Sequence, residues 1–572
     1  MKSTVRGRKA EILAAGLLLL MGINCLSVIA RKSVTNDENI HIPAGYAHLV
    51  SRDFQFNNPH PPTPKILSAL PLVFLHPSEL SRDEWQDRDQ DFERAAIDHF
   101  WFANSDRFES ISFWARVPMI ALTIVLGFVI FAFARRLFGA RAAVLAVALF
   151  SLEPTILAHG RIVHTDIPSA LGFVLFCFAS YRYVTRPGLR QAVWLGLATG
   201  FAPLTKFSMV TLAPLALIGA SGLILFAPRL SLRRRSAIVH VAIVLGLSLL
   251  VINGAYFFHS RPFSGTDAEW IADTFGSHAT NIARSVRVLN HVVPTDFLMG
   301  IYWQIHHSSE GHPAALFGQY SQFGWWYYFP AAFALKTTVP FLLCSVVALL
   351  WTVWQLATQR ERGARLRFLF VLLPFLAFTT YVMTSRINIG VRYYLPAYPF
   401  LFIMSAALLD WLLRVPARRW IGPAAIASVL GWSAIEVVRA YPNYVPYMNE
   451  ITFAHPHWWY LSDSNVEWGE DMRGLAGYLK AHDETNVRCA LLGSYWPLQL
   501  YGIKYFDEFA DNQPPTKYLA IGASYLNGST VPLGPPGSGR ETDERRVNYF
   551  DEYRQRTPEA IIGNSIYVYR LR

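Results

Sequence analysis

The sequence predicts a polytopic α-helical membrane protein with a small C-terminal α/β domain. Three observations lead there. Of 572 residues, 52% are hydrophobic and only 16% are charged, where soluble domains carry roughly 25% charged residues. Apolar runs long enough to cross a bilayer recur through residues 1–440. Arginine gathers in alternate loops between those runs, as the positive-inside rule asks of cytoplasmic loops. That distribution accounts for much of the formal net charge of +11 and argues against a nucleic-acid partner. The bilayer is the expected surrounding. The cysteines, Cys25, Cys177, Cys344 and Cys489, show neither metal-ligand spacing nor a disulfide framework.

The elements follow in chain order. Lys2, Arg6, Arg8 and Lys9 precede an apolar run from Ala10 to Ala30. A signal-peptide core is about 7–15 residues, and this run is long enough to span, so it reads as an uncleaved first helix. Further runs lie near 117–134, 142–159, 167–184, 191–204, 208–227, 236–258, 330–354, 367–384, 391–413 and 420–440. Together they give about eleven spans at the usual length of about 20 residues. Arginines follow every second span: Arg135 and Arg141, Arg182 and Arg190, Arg229 with Arg233 to Arg235, Arg360 to Arg367, and Arg414 with Arg418 and Arg419. The alternation implies a cytoplasmic N-terminus and, with an odd span count, an extracytoplasmic tail.

Four features then face outward. Residues 31–114 form a long first loop, whose charged and aromatic half, Pro77 to Phe113, reads as amphipathic helices on the membrane surface carrying Trp85, Phe92, Phe100, Trp101 and Phe102. Residues 153–166 form a short turn with Glu153, His159, Arg161, His164 and Asp166. Residues 259–329 form a second long loop that ends in an aromatic run from Trp325 to Phe329. The tail, 441–572, has ordinary soluble composition. Met472 to His482 reads as an amphipathic helix, and Val487 to Leu492, Tyr518 to Ile521 and Ile561 to Tyr569 read as strands. The division is thus a membrane domain, 1–440, and an α/β domain, 441–572.

Polar residues beside the spans carry the candidate chemistry. Asp37 and Glu38 follow the first span and are accompanied by His41, a stiff His60-Pro61-Pro62 turn and Lys65. An arbitrary acid pair in a loop is usually only solvated. In this company, a carboxylate held at the membrane face suits the base that a transfer to a hydroxyl requires. Asp166, after His164 and Thr165, reads equally as a helix N-cap or as an acid that orients an acceptor. Lys206 could snorkel, yet it falls on the outer side with Lys65, Lys336, Arg386 and Arg392, where the loop rule does not favour cations. Cations grouped there suit an anion such as a lipid phosphate. The aromatic run with Trp325 reads as an interfacial belt or as a platform for a sugar ring.

The ordered motifs resemble those of the GT-C glycosyltransferases, in particular bacterial glycosyltransferase family 39 and the protein O-mannosyltransferases. They are Asp37-Glu38 with His41, Gly45 and Tyr46; His60-Pro61-Pro62 with Lys65; Glu153 to Arg161 with Thr165-Asp166; Leu204-Thr205-Lys206-Phe207; Gly324 to Pro330 with Lys336; Asn388 to Tyr393; and Asp463-Ser464-Asn465-Val466-Glu467-Trp468-Gly469-Glu470-Asp471. The resemblance implies a GT-C fold in a bacterial inner membrane. It implies an inverting transfer, hexosyl or pentosyl, from a polyprenyl-phosphate-linked sugar to a protein, glycolipid or polysaccharide hydroxyl at the outer face. Asp37 matches the general base, with Glu38 and Asp166 as the other catalytic acids. Lys65, Lys206 and Arg392 are implied at the donor phosphate; His60, His159, Arg161, Tyr393 and Trp325 are implied at the substrates. The resemblance leaves room for a divalent cation near the first loop, but Pro59 stands where many relatives carry an acid, which argues against a metal site. A polytopic lipid or solute transporter, or flippase, is the alternative; the lack of an internal repeat weighs against it.

Overall fold

The computed structural model describes residues 2–78, 90–212, 219, 233–415, 419–511 and 513–571. Trp85, Arg229, Arg418 and most of the expected span at 208–227 lie outside the described residues. The chain divides into two compact units. One comprises Met1–Ile40, Leu80–Ile162 and Glu310–Arg572; the other comprises His41–Glu79 and Val163–Ser309.

Among the described residues, eight helices are long and apolar enough to cross a membrane. The first unit holds Arg8–Ile29, Phe108–Phe138, Val339–Thr358, Arg362–Met383, Val391–Leu412 and Ile421–Ala440; the second holds Asp166–Thr185 and Arg234–Ala255. Two further expected spans are shorter helices, Ala140–Ser151 with 12 residues and Leu189–Thr205 with 17. At 1.5 Å per residue the former reaches only about 18 Å, short of a bilayer's hydrocarbon core of about 30 Å.

In the first unit Val391–Leu412 is the innermost span, with 89% of its apolar window buried. It packs on Ala140–Ser151 and on Val339–Thr358, where Phe402 stacks on Phe341 with ring centroids 5.0 Å apart. The run expected as one span at 330–354 is broken. The helix Tyr328–Lys336 stops, Thr337 is extended, and a new helix starts at Val339 with Pro340 in its first turn. Pro340 has no N–H for the Lys336 carbonyl, which a continuous helix would need, and Lys336 is buried with its ammonium donating to the carbonyls of Val445 and Asn465, each at 2.6 Å. The helix Gln90–Ala103, in the stretch expected on the membrane surface, buries Phe100 and Trp101, and Trp101 stacks on Trp496 of the C-terminal segment at 4.7 Å.

The described strands are β1 (Ala314–Leu316), β2 (Gln319–Ser321), β3 (Asn486–Ala490), β4 (Lys504–Asp507), β5 (Tyr518–Gly522), β6 (Ala560–Ile562) and β7 (Ile566–Arg570). Strands β1 and β2 form a small hairpin. The other five make one sheet in the order β4-β3-β5-β7-β6, parallel from β4 to β5 and antiparallel at β7 and β6. The helix Met472–Ala481 covers it through Leu475 and Leu479. The segment Ile561 to Tyr569 is two strands, because Gly563 and Asn564 both adopt φ of +61° and turn the chain.

In the second unit, Leu189–Thr205 lies between Asp166–Thr185 and Arg234–Ala255. Glycines four apart permit the close approach. A Cβ on Gly196 would sit 3.0 Å from the Cα of Val244, and one on Gly200 only 2.7 Å from the carbonyl oxygen of Ser248.

Candidate active site

Asp37 and Glu38 do not lie in a loop. They occupy the first turn of the helix Asn36–Val50, which Thr35 and Glu38 start as a capping box. The Thr35 N–H donates to Glu38 Oε2 at 2.8 Å, and the Glu38 N–H donates to Thr35 Oγ1 at 3.4 Å. Carboxylates are stabilised at that helix end. Pro43 has no N–H for the carbonyl of Asn39, and the indole of Trp101 donates there instead at 3.0 Å.

The two acids then part. Glu38 is fully buried and holds Arg116 in a fork, Nε to Oε1 at 2.8 Å and Nη2 to Oε2 at 2.6 Å. The same guanidinium donates to the carbonyls of Lys32 at 3.0 Å and Ser33 at 2.5 Å. Glu38, expected among the catalytic acids, is paired with Arg116 beneath the turn that presents Asp37. Sequence reasoning passed over Arg116; an arginine near the outer end of a span was its signal. Asp37 keeps 20% of its side chain exposed and accepts from Arg392 Nη1 at 2.7 Å. Arg392 in turn lies over the ring of Trp468 at 4.4 Å and beside half-buried Tyr393 at 5.3 Å.

The segment 463–471 organises the surroundings of this pair. Backbone N–H groups of Ser33 and Asn36 donate to the carbonyls of Glu470 and Trp468, each at 2.9 Å. The Asn465 side chain accepts from the Val391 N–H at 2.9 Å and donates to Tyr328 Oη at 2.8 Å. Glu470 takes Arg161 at 2.6 Å, and Asp471 takes Lys32. Arg161, expected at the substrate, is fully buried in that pairing. His159 is buried, with its ring centroid 5.6 Å from that of Trp468 in a T-shaped contact. Trp325 is half-buried, with its backbone N–H on Asn388 Oδ1 at 2.8 Å.

Burial sets the titration of these tail acids. The Asp463 carboxyl is pushed up by burial, against the pull of His312 and Arg392. Its residue holds a φ of +55° while its N–H donates to Ser524 Oγ at 2.8 Å. Glu467 is pushed up to about 8, burial outweighing the N–H groups of Leu492 and Ser524 that it accepts. Glu470 moves down, because burial is outweighed by Arg161 and Lys32 together.

In the second unit, the helix Asp166–Thr185 has Thr165 at its cap position, so Asp166 is its first helical residue and not the cap. Its carboxylate holds Lys206, and both groups are buried. The Asp166 N–H lies 2.8 Å from His164 Nδ1, and the same ring nitrogen lies 3.3 Å from Asp166 Oδ2. Lys65, expected at the donor phosphate, is buried and donates to the Asn57 carbonyl at 2.7 Å and to its Oδ1 at 3.2 Å. His60 sets its ring against His41 at 5.0 Å, and His41 Nδ1 bonds the Val163 carbonyl at 3.1 Å.

Asp37 is paired with a guanidinium, and among the described residues no group of three or more acidic, histidine or cysteine side chains is placed to hold a metal ion.

Residues 108–256 match the family model of dolichyl-phosphate-mannose-protein mannosyltransferases. That match covers about a quarter of the chain and makes this segment similar to membrane glycosyltransferases. No curated protein matches it by sequence. Among solved structures it is similar to ArnT from Cupriavidus metallidurans bound to undecaprenyl phosphate, at 16% identity and a TM-score of 0.45, over 76% of this chain and 70% of that one. It is also similar to the oligosaccharyltransferase AglB from Archaeoglobus fulgidus, crystallised with an inhibitory peptide and a dolichol phosphate. That likeness has 10% identity and a TM-score of 0.49, over 89% of this chain and 69% of that one.

Proposed function

We propose that the protein moves one sugar from a polyprenyl-phosphate carrier to an acceptor hydroxyl, with inversion, at the outer face of a bacterial cytoplasmic membrane. The N-terminus is cytoplasmic, and the α/β domain, 441–572, is extracytoplasmic. Asp37 accepts the hydroxyl proton as the acceptor oxygen attacks the anomeric carbon. The bond from that carbon to the carrier phosphate breaks, and the phosphate leaves as an anion. Arg392 is the cation for that anion, because a forked donor suits phosphate oxygens and charge aimed at a leaving group lowers the barrier. Asp166 and Lys206 keep the roles implied by the resemblance, the acid toward the acceptor and the lysine toward phosphate. The bonds of Lys65 to Asn57 suit it to shaping the first loop. His60, His159, Tyr393 and Trp325 flank the substrates.

The observation that carries the proposal is the contrast within the acid pair. One carboxylate is sealed on Arg116, and its neighbour is partly exposed, fixed at a helix start and held by an arginine. The test is a transfer assay with the purified chain and a panel of polyprenyl-phosphate monosaccharides, following free polyprenyl phosphate. Release lost in Asp37→Asn supports the assignment and names the sugar. Release undiminished in that variant removes Asp37 as base, and absence of both release and donor binding across the panel removes the donor class.

A further inference from the structure

We infer that Trp468 is the positioning residue of the Asp37–Arg392 pair, so that the C-terminal segment supplies part of the active site. The inference rests on Asp37 being the base. Trp468 is almost wholly buried, at 1% exposure, and it touches Arg392 and the residue before Asp37 in different ways. Its indole face lies 4.4 Å from the guanidinium carbon of Arg392, close enough for the ring to hold the planar group flat. From that plane Nη1 reaches Asp37 Oδ2 at 2.7 Å. Its carbonyl accepts the N–H of Asn36, the residue before Asp37, at 2.9 Å. The ring therefore orients the arginine while the backbone orients the acid.

Trp468 is itself fixed from the sheet. The adjacent Glu467 accepts the N–H of Leu492, just beyond β3, at 2.7 Å and that of Ser524, just beyond β5, at 3.1 Å. Asn465 bonds the N–H of Val391, next to Arg392, at 2.9 Å, and Ser464 bonds the carbonyl of Ile389 at 2.6 Å. Arginine and indole thus share one frame. The His159 ring packs against the indole as well, with centroids 5.6 Å apart. A base acts only when it lies within hydrogen-bond reach of the proton it removes, and a misplacement of about 1 Å costs about 10²-fold in rate. A residue that fixes both partners of the carboxylate has that leverage without touching a substrate.

The test reads the Asp37 environment directly, in the full-length chain and without a donor. Carbodiimide attaches to protonated carboxyls, so mass spectrometry of labelling at Asp37 against pH reports how strongly the guanidinium keeps the proton off. Trp468→Leu moves the labelling midpoint up by about one pH unit, toward the value of Arg392→Met, because an opposite charge at this range is worth about 1–3 units. Trp468→Phe, which keeps an aromatic face, stays near the parent. Thermal unfolding is followed beside it. Should Trp468→Leu fail to fold, Trp468→Met fills the volume without a face and takes its place. A folded Leu or Met variant whose labelling curve superimposes on the parent's overturns the inference, as does a Phe variant shifted as far as Leu. A shift without turnover of any polyprenyl-phosphate sugar leaves the positioning intact and sinks the proposed reaction.

Discussion

Replacing Glu38 by Gln removes one charge from an ion pair whose side chains are 0% and 1% exposed. Removing one partner of such a pair costs about 3–5 kcal/mol, because the other charge stays buried. The amide keeps one acceptor, and Arg116 retains the carbonyls of Lys32 and Ser33, so the loss falls toward the lower end, about 3 kcal/mol. Asp37→Asn touches a partly exposed pair, worth at most about 1 kcal/mol. Denaturant unfolding of the full chain in detergent compares the two. Release of polyprenyl phosphate, corrected for the folded fraction, gives the opposite order: about 10²–10⁴-fold lost in Asp37→Asn and within about tenfold of the parent in Glu38→Gln. Adding Arg116→Met to Glu38→Gln recovers part of the stability, since no unpaired charge remains. A Glu38→Gln protein as stable as the parent, or an Asp37→Asn protein less stable than the Glu38→Gln protein, refutes the division of labour.

Three further outcomes follow from the geometry. Gly522→Ala places a Cβ 1.9 Å from the Glu467 carboxylate, an overpacking worth about 1–3 kcal/mol or more; adding Glu467→Ser relieves it, and unfolding midpoints report both. Glu467 is held up to about 8 from an ordinary 4.5, so its contribution to stability is full below about 4.5 and is lost as pH rises through about 8. Thermal midpoints between those limits therefore fall more steeply for the parent than for Glu467→Gln, and parallel curves contradict the burial argument. Gly200→Val forces a side chain into the Ser248 backbone, where a Cβ already lies 2.7 Å from the carbonyl oxygen; a lowered thermal midpoint, with Gly246→Val unchanged beside it, is the expected pattern, since nothing lies within 4 Å of a Cβ at Gly246.

The membrane helices were legible because hydrophobic length and arginine placement are properties of the chain alone. The break in the run at 330–354 has its signal in Pro340, whereas the carbonyls of Val445 and Asn465 that receive the buried Lys336, more than a hundred residues away, are found only in the fold. The helix at Asp37 was readable in Thr35 and Glu38 as a Thr-x-x-Glu start, yet it passed for loop because Pro43 follows within two turns. The candidate acids were legible as a motif, whereas their separate fates were not: adjacent carboxylates look alike in a sequence, and only Arg116 distinguishes them. The tail strand expected at Ile561 to Tyr569 missed a two-residue turn that Gly563-Asn564 spelled out.

Lys32 meets Asp471 across 439 residues of chain. At about 5–20 residues per second of synthesis, roughly 20–90 s separate the emergence of the first acid from the arrival of the segment that braces it. Throughout that interval the early helices can enter the bilayer while Asp37 still lacks the Trp468 carbonyl and the stacked arginine. Under the proposed function, a ribosome that stalls before residue 463 leaves a fragment whose Asp37 has neither brace, and which therefore consumes no lipid carrier.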